Sequence, residues 1–92
     1  MIKSFRHKGL KRFWETGSTK WIPARHAKRI RLILDAIDAA TTLDDLRKPG
    51  FDLHELKGDR KGTWAITVSG NWRITFTFDS GNAYDVNYED YH

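Results

Sequence analysis

The sequence predicts an α+β fold, with two N-terminal helices packed on one face of a small, mainly antiparallel sheet. Two observations carry this. Apolar residues recur every three to four positions up to Ile37 and every second position after Pro49-Gly50. Two turn signals, Gly70-Asn71 and Ser80-Gly81-Asn82, divide the second half into strands.

Ile2 to Phe5 reads as a short strand. Leu10, Phe13 and Trp14 then fall on one helical face, with Lys8, Lys11, Arg12 and Glu15 on the wet side and Gly17 as the stop. Gly9 is a poor residue inside that helix. Pro23 suits the first turn of a second helix. Ala27, Ile30, Leu34 and Ile37 form its buried stripe, flanked by Ile33. Arg25, Lys28 and Arg29 face away, and Leu32 among them reads as a scattered surface leucine, with a partner contact as the alternative. Thr42-Leu43-Asp44-Asp45 has capping-box spacing and predicts a short third turn.

Beyond Gly50 each strand alternates. Phe51 and Leu53 alternate with Asp52 and His54, and Trp64, Ile66 and Val68 with Ala65, Thr67 and Ser69. Trp72, Ile74, Phe76 and Phe78 alternate with Arg73, Thr75 and Thr77. Tyr84, Val86 and Tyr88 alternate with Asp85, Asn87 and Glu89. Tight turns join the last three strands into a meander whose apolar face the helices cover. Side chains alternate between faces, so Arg73 belongs to the opposite, uncovered face, and His54 joins it if Leu53 goes to the core, an assignment parity alone leaves open. Lys57 follows in a loop, and this face is a candidate anion site.

Ninety-two residues suit one domain, 1–92. Aromatic residues at 13%, including four Trp, argue against disorder. The absence of Cys excludes disulfides, thiol catalysis and Cys-ligated metal, and fits a cytoplasmic setting. No apolar run is long enough for a membrane span. Net charge is +4, but residues 1–31 alone carry +9 and the remainder −5. That asymmetry points to a polyanion, with nucleic acid first.

The histidines show no metal-ligand spacing, and neither a phosphate-binding glycine loop nor a nucleophilic-serine signature occurs. What remains is His, Lys, Arg and Tyr, a set able to cleave RNA without metal because the 2′-hydroxyl supplies the nucleophile. His26 reads as a packed, hydrogen-bonded residue and His7 as a surface helix residue. Trp14, Trp64 and Trp72 read as core. Trp21 reads as core-edge packing, with an exposed ring stacking on a base or a partner as the alternative.

Leu53-His54-Glu55-Leu56-Lys57-Gly58-Asp59-Arg60, Gly70-Asn71-Trp72-Arg73-Ile74-Thr75-Phe76 and Asn87-Tyr88-Glu89-Asp90-Tyr91-His92 resemble, in order and spacing, segments of HigB toxins in the RelE superfamily. Met1 to Phe5 and Asp38 to Thr41 are similar too. The resemblance implies a type II toxin that enters the ribosomal A site and cuts mRNA there without metal or other cofactor. It implies neutralisation by a HigA-like helix-turn-helix antitoxin, with operator DNA bound only through the toxin–antitoxin complex.

The same resemblance assigns catalytic positions to His54, Lys57, Arg73, Asp90, Tyr91 and His92. His92 is then the candidate general acid or base, and Lys57 and Arg73 the charge neutralisers. Tyr91 orients or stacks on the nucleotide, Asp90 positions a neighbour, and His54 transfers a second proton or contacts phosphate. Lys8, Lys11, Arg12, Lys28 and Arg29 are candidate contacts to ribosomal RNA. The competing readings are a ParE-like gyrase inhibitor, a non-catalytic RNA-binding module and a structural interaction protein.

Overall fold

The computed structural model describes residues 1–90. Helix α1 spans Lys8–Thr16 and α2 spans Ala24–Ala39. A 3-10 turn at Leu43–Leu46 follows, then β1 (His54–Glu55), a second 3-10 turn (Gly58–Arg60), β2 (Thr63–Ser69), β3 (Trp72–Asp79) and β4 (Asn82–Asp90). The four strands pair antiparallel in chain order. The segment at Ile2–Phe5 makes two parallel bridges, Ile2 with Ala83 and Phe5 with Val86. It thereby covers the outer edge of β4, a place where unpaired backbone groups would invite aggregation.

The helix ends have local causes. His7 is the N-cap of α1, and its Nδ1 accepts from the Leu10 N–H at 3.0 Å. It is therefore half-buried and structural rather than a surface helix residue, and its ring meets Tyr88 edge-on. α1 stops at Gly17, whose N–H donates to the Phe13 carbonyl. Pro23 sits at the N-cap of α2, one position before the helix. The capping box forms as expected, between Thr42 and Asp45.

The core lies between the helices and one sheet face. Ile30, Ile33, Leu34 and Ile37 of α2 and Leu10 and Phe13 of α1 meet Ile66, Val68, Ile74, Phe76 and Val86. Each fully buried aliphatic side chain contributes roughly 1.5–3 kcal/mol over exposure. His26, 4% exposed, lies in this layer with its Nδ1 2.5 Å from the Tyr88 hydroxyl. Burial lowers the His26 pKa, with Arg25 adding to the effect, and burial raises that of Tyr88. The pair therefore shares its hydrogen bond as two neutral groups.

β4 departs from strict alternation. Thr77 pairs with Tyr84, but Thr75 pairs with Asn87, so β4 carries one extra residue between them. Asp85, at φ +54°, occupies that bulge, and its N–H donates to Ser4 Oγ at 2.8 Å. The bulge inverts facing on its N-terminal side. Ala83 is buried in the core, and Tyr84 joins Thr77 on the other face, contrary to the expectation that Tyr84 packs inward.

Candidate active site

The site begins at a turn. β1 is two residues long, with His54 opposite Ala65 and Glu55 opposite Trp64. The Leu56 N–H still reaches the Thr63 carbonyl at 2.8 Å, and then the chain leaves the sheet. Gly58 has φ +70°, a left-handed conformation that L side chains resist. It reverses the chain into the second 3-10 turn and leaves Lys57 exposed just before it.

Register identifies the shared face. His54 aligns with Ala65, Thr75 and Asn87, while Arg73 aligns with Thr67 and Glu89. His54 and Arg73 thus project from one side, and Leu53 packs against the core, the condition on which parity depended. Their Cα atoms are offset by two strands and two residues, roughly 12 Å from standard sheet spacings. His54 Nδ1–H donates to the Asp52 carbonyl at 2.9 Å. In the neutral ring this leaves the lone pair on Nε2, the atom then able to take a proton. Arg73 Nη1 donates to the Gly70 carbonyl at 2.5 Å and the Trp72 carbonyl at 3.1 Å, which fixes its guanidinium at the β2–β3 turn.

This face is not bare. Arg60 reaches from the second 3-10 turn to Glu89 on β4 and makes a two-pronged ion pair at 2.9 and 2.6 Å. Thr75 Oγ1 donates to the same carboxylate. The span crosses β2 and β3, on which Ala65 and Thr75 are buried although they lie outside the helix-side core, as is Leu56 just past β1. The hydrogen bond from Arg60 holds the Glu89 carboxyl below its ordinary pKa, against a smaller desolvation effect. Glu89 is therefore a firmly ionised structural group and a weak base. The pair also neutralises itself. The pocket of about 210 Å³ alongside contains Arg6 and Arg60 but also Asp59, Asp85 and Glu89, so it is no simple phosphate cradle. His54, Lys57 and Arg73 stand outside its lining.

Asp90 pairs with Trp72 and so shares the helix-side face at the sheet's end, apart from Arg73. Its charge is felt by Tyr88. Tyr91 and His92 lie outside the described residues. Of the basic candidates, Lys8, Lys11, Arg12 and Lys28 are exposed. Arg29 is half-buried. Its Nη2 donates to the Gly50 and Thr67 carbonyls at 2.6 and 3.3 Å, and its guanidinium lies 5.3 Å from the Phe51 ring centroid. The sequence reading missed the Arg60–Glu89–Thr75 network. Parity did put Thr75 and Glu89 on one face, but nothing local links Arg60 to a residue 29 positions away.

A family model described as the RelE-like toxin of the type II toxin–antitoxin system HigB matches residues 3–92. The chain is 56% identical to endoribonuclease HigB of Proteus vulgaris over 92 residues, covering all of both chains. Its backbone resembles that of the YoeB dimer from Staphylococcus aureus, with TM-score 0.62 and 17% identity over 99% of this chain and 94% of that one. The YoeB–YefM complex from the same organism gives TM-score 0.59 and 16% identity over 100% and 95%. These structural likenesses concern the fold alone. An α+β meander backed by two helices, with the family match over nearly every residue, makes the chain a member of the HigB family of RelE-like toxins of type II toxin–antitoxin systems.

Proposed function

We propose that this chain is an endoribonuclease that cuts mRNA in the ribosomal A site, without metal, and so arrests translation. The observation that carries the activity is the 56% identity, over the full length, to a protein named endoribonuclease HigB. The polar sheet face supports it by carrying His54 and Arg73, with Lys57 exposed just past β1.

In the proposed reaction a base removes the 2′-hydroxyl proton. The 2′-oxygen bonds to phosphorus as the bond to the departing 5′-oxygen breaks, and an acid protonates that oxygen. The products are a 2′,3′-cyclic phosphate and a 5′-hydroxyl. Lys57 and Arg73 neutralise the charge that builds on the phosphoryl oxygens. His92 is the leading proton-transfer group and His54 the second. Tyr91 holds the nucleotide, and Asp90 orients a neighbour at the strand's end. Lys8, Lys11, Arg12, Lys28 and Arg29 meet ribosomal RNA, Arg29 through the field of its charge because its Nη2 is engaged internally. The antitoxin partner is a HigA-like helix-turn-helix protein, through which the complex reaches operator DNA.

The test is inducible expression with mapping of mRNA 5′ ends, using His92→Gln as control. New ends inside translated codons, absent in the variant, are expected. Growth arrest with intact mRNA would instead indicate a gyrase-type target.

A further inference from the structure

Trp21 is the largest aromatic side chain left in solvent among the described residues, at 53% exposure. Its position is built. Ile22 beside it is buried and bonds back to the Thr19 carbonyl at 3.1 Å, and Pro23 follows with its φ restricted. On the other side the first turn of α1 approaches so closely that a Cβ on Gly9 would stand 2.6 Å from Trp21 Cβ. A helix that accepts glycine there forgoes about 1 kcal/mol relative to alanine. The gain is close packing at the base of a ring left at the surface.

What surrounds the ring is cationic. Lys20 Nζ lies 5.1 Å from the ring centroid. The hollow beside it is lined by Arg6, His7, Lys8, Gly9, Trp21 and Asn87, with no carboxylate. Arg6 and Asn87 also line the pocket on the polar sheet face, so the two concavities adjoin.

We propose that Trp21 is a stacking platform for an unpaired RNA base, whose flanking phosphates meet Arg6, Lys8 and Lys20. An indole face accepts any base, and cations alongside follow the backbone, the combination used for single strands. A protein segment seeking apolar contact would find one ring among cations. The proposal rests on the chain being an RNA-directed toxin. The nucleotide belongs either to ribosomal RNA or to the bound mRNA, and the chemistry is the same for both.

The test is the affinity of the full chain for 70S ribosomes, empty or carrying mRNA with a 2′-deoxynucleotide at the cleavage position, which removes the nucleophile. Trp21→Ala should weaken binding about tenfold, the size expected for one stacked base. Trp21→Phe should recover most of this, and Trp21→Leu, apolar but without a π face, should not. Weakening on empty ribosomes assigns the base to ribosomal RNA, and weakening only with mRNA assigns it to the message. Equal affinity of the Leu and Phe variants overturns the proposal, even if Trp21→Ala fails to fold. So does wild-type ribosome affinity in Trp21→Leu together with lost antitoxin binding, which would give the ring to a protein. Wild-type protein that binds ribosomes yet cuts no mRNA defeats the nuclease reading and leaves the stacking result standing.

Discussion

Lys57, just past β1, and Glu89, on β4, have opposite kinds of importance. Lys57 is exposed where β1 gives way to the Gly58 turn and contributes little packing. Lys57→Ala should therefore reduce mRNA cleavage at least about a hundredfold, as loss of a charge-stabilising group does. Its melting temperature should stay within about 4 °C of wild type, as for a surface change. A large drop in thermal stability would show that Lys57 serves the fold. Glu89 is the reverse case, since it accepts from Arg60 twice and from Thr75. Glu89→Ala is expected to lose roughly 1–2 kcal/mol, because the buried Thr75 hydroxyl is left without this acceptor and the half-exposed arginine without its ion pair. Urea denaturation measures it, and an unchanged midpoint would show that the Arg60–Glu89–Thr75 network adds no stability.

Among the elements, α1 carries the sharpest test of a local rule against a tertiary one. Helix propensity alone says that Gly9→Ala should stabilise by about 1 kcal/mol. The close approach to Trp21 says the opposite, because the atom met is a Cβ anchored to backbone rather than a flexible tip. We expect a net destabilisation of about 1–3 kcal/mol, the usual cost of overpacking. A higher melting temperature in the variant would show that the α1–α2 loop yields easily. β4 teaches a related lesson. Alternation correctly put Val86 and Tyr88 inward, but it failed at Tyr84, because one extra residue at Asp85 reverses every side chain before it.

At the scale of the whole molecule, charge and buried histidine set the solution behaviour. The +9 of residues 1–31 remains the surface best suited to a polyanion, and Arg29 is largely engaged internally. With Lys8, Lys11, Arg12 and Lys28 meeting phosphates, the logarithm of ribosome affinity should fall with the logarithm of salt at a slope of about −3, steepening to about −4 with Arg6 and Lys20 added beside Trp21. A flat response would remove phosphate contacts from the account. His26 and His7 are both held below the ordinary histidine value of 6.5, each chiefly by burial. The unfolded chain then binds more protons than the folded one below about pH 6.5, so stability rises with pH through that region. Their neutral burial costs nothing above it, and acidification from pH 7 to 5 should lower the melting temperature. His26→Gln should flatten that slope, and an equally steep slope in the variant would place its origin elsewhere.

Much of this protein is decided by short-range chemistry, and that part was legible in the chain. The α2 stripe, the Thr42–Asp45 capping box, the glycine stop of α1 and the alternation of β3 depend on neighbours within a turn or a strand. The face of Arg73 follows from the same alternation, whereas that of His54 waited on the packing of Leu53, and the three ordered motifs carried the family resemblance. Tertiary structure alone decided the rest. It closed the polar face by joining Arg60 to Glu89, turned Tyr84 outward, made His7 a helix cap and left Trp21 in solvent beside Gly9. Each of these depends on strand register or on close approach between segments distant in sequence. A single inserted residue or one missing Cβ changes such contacts without altering the local pattern from which a sequence is read.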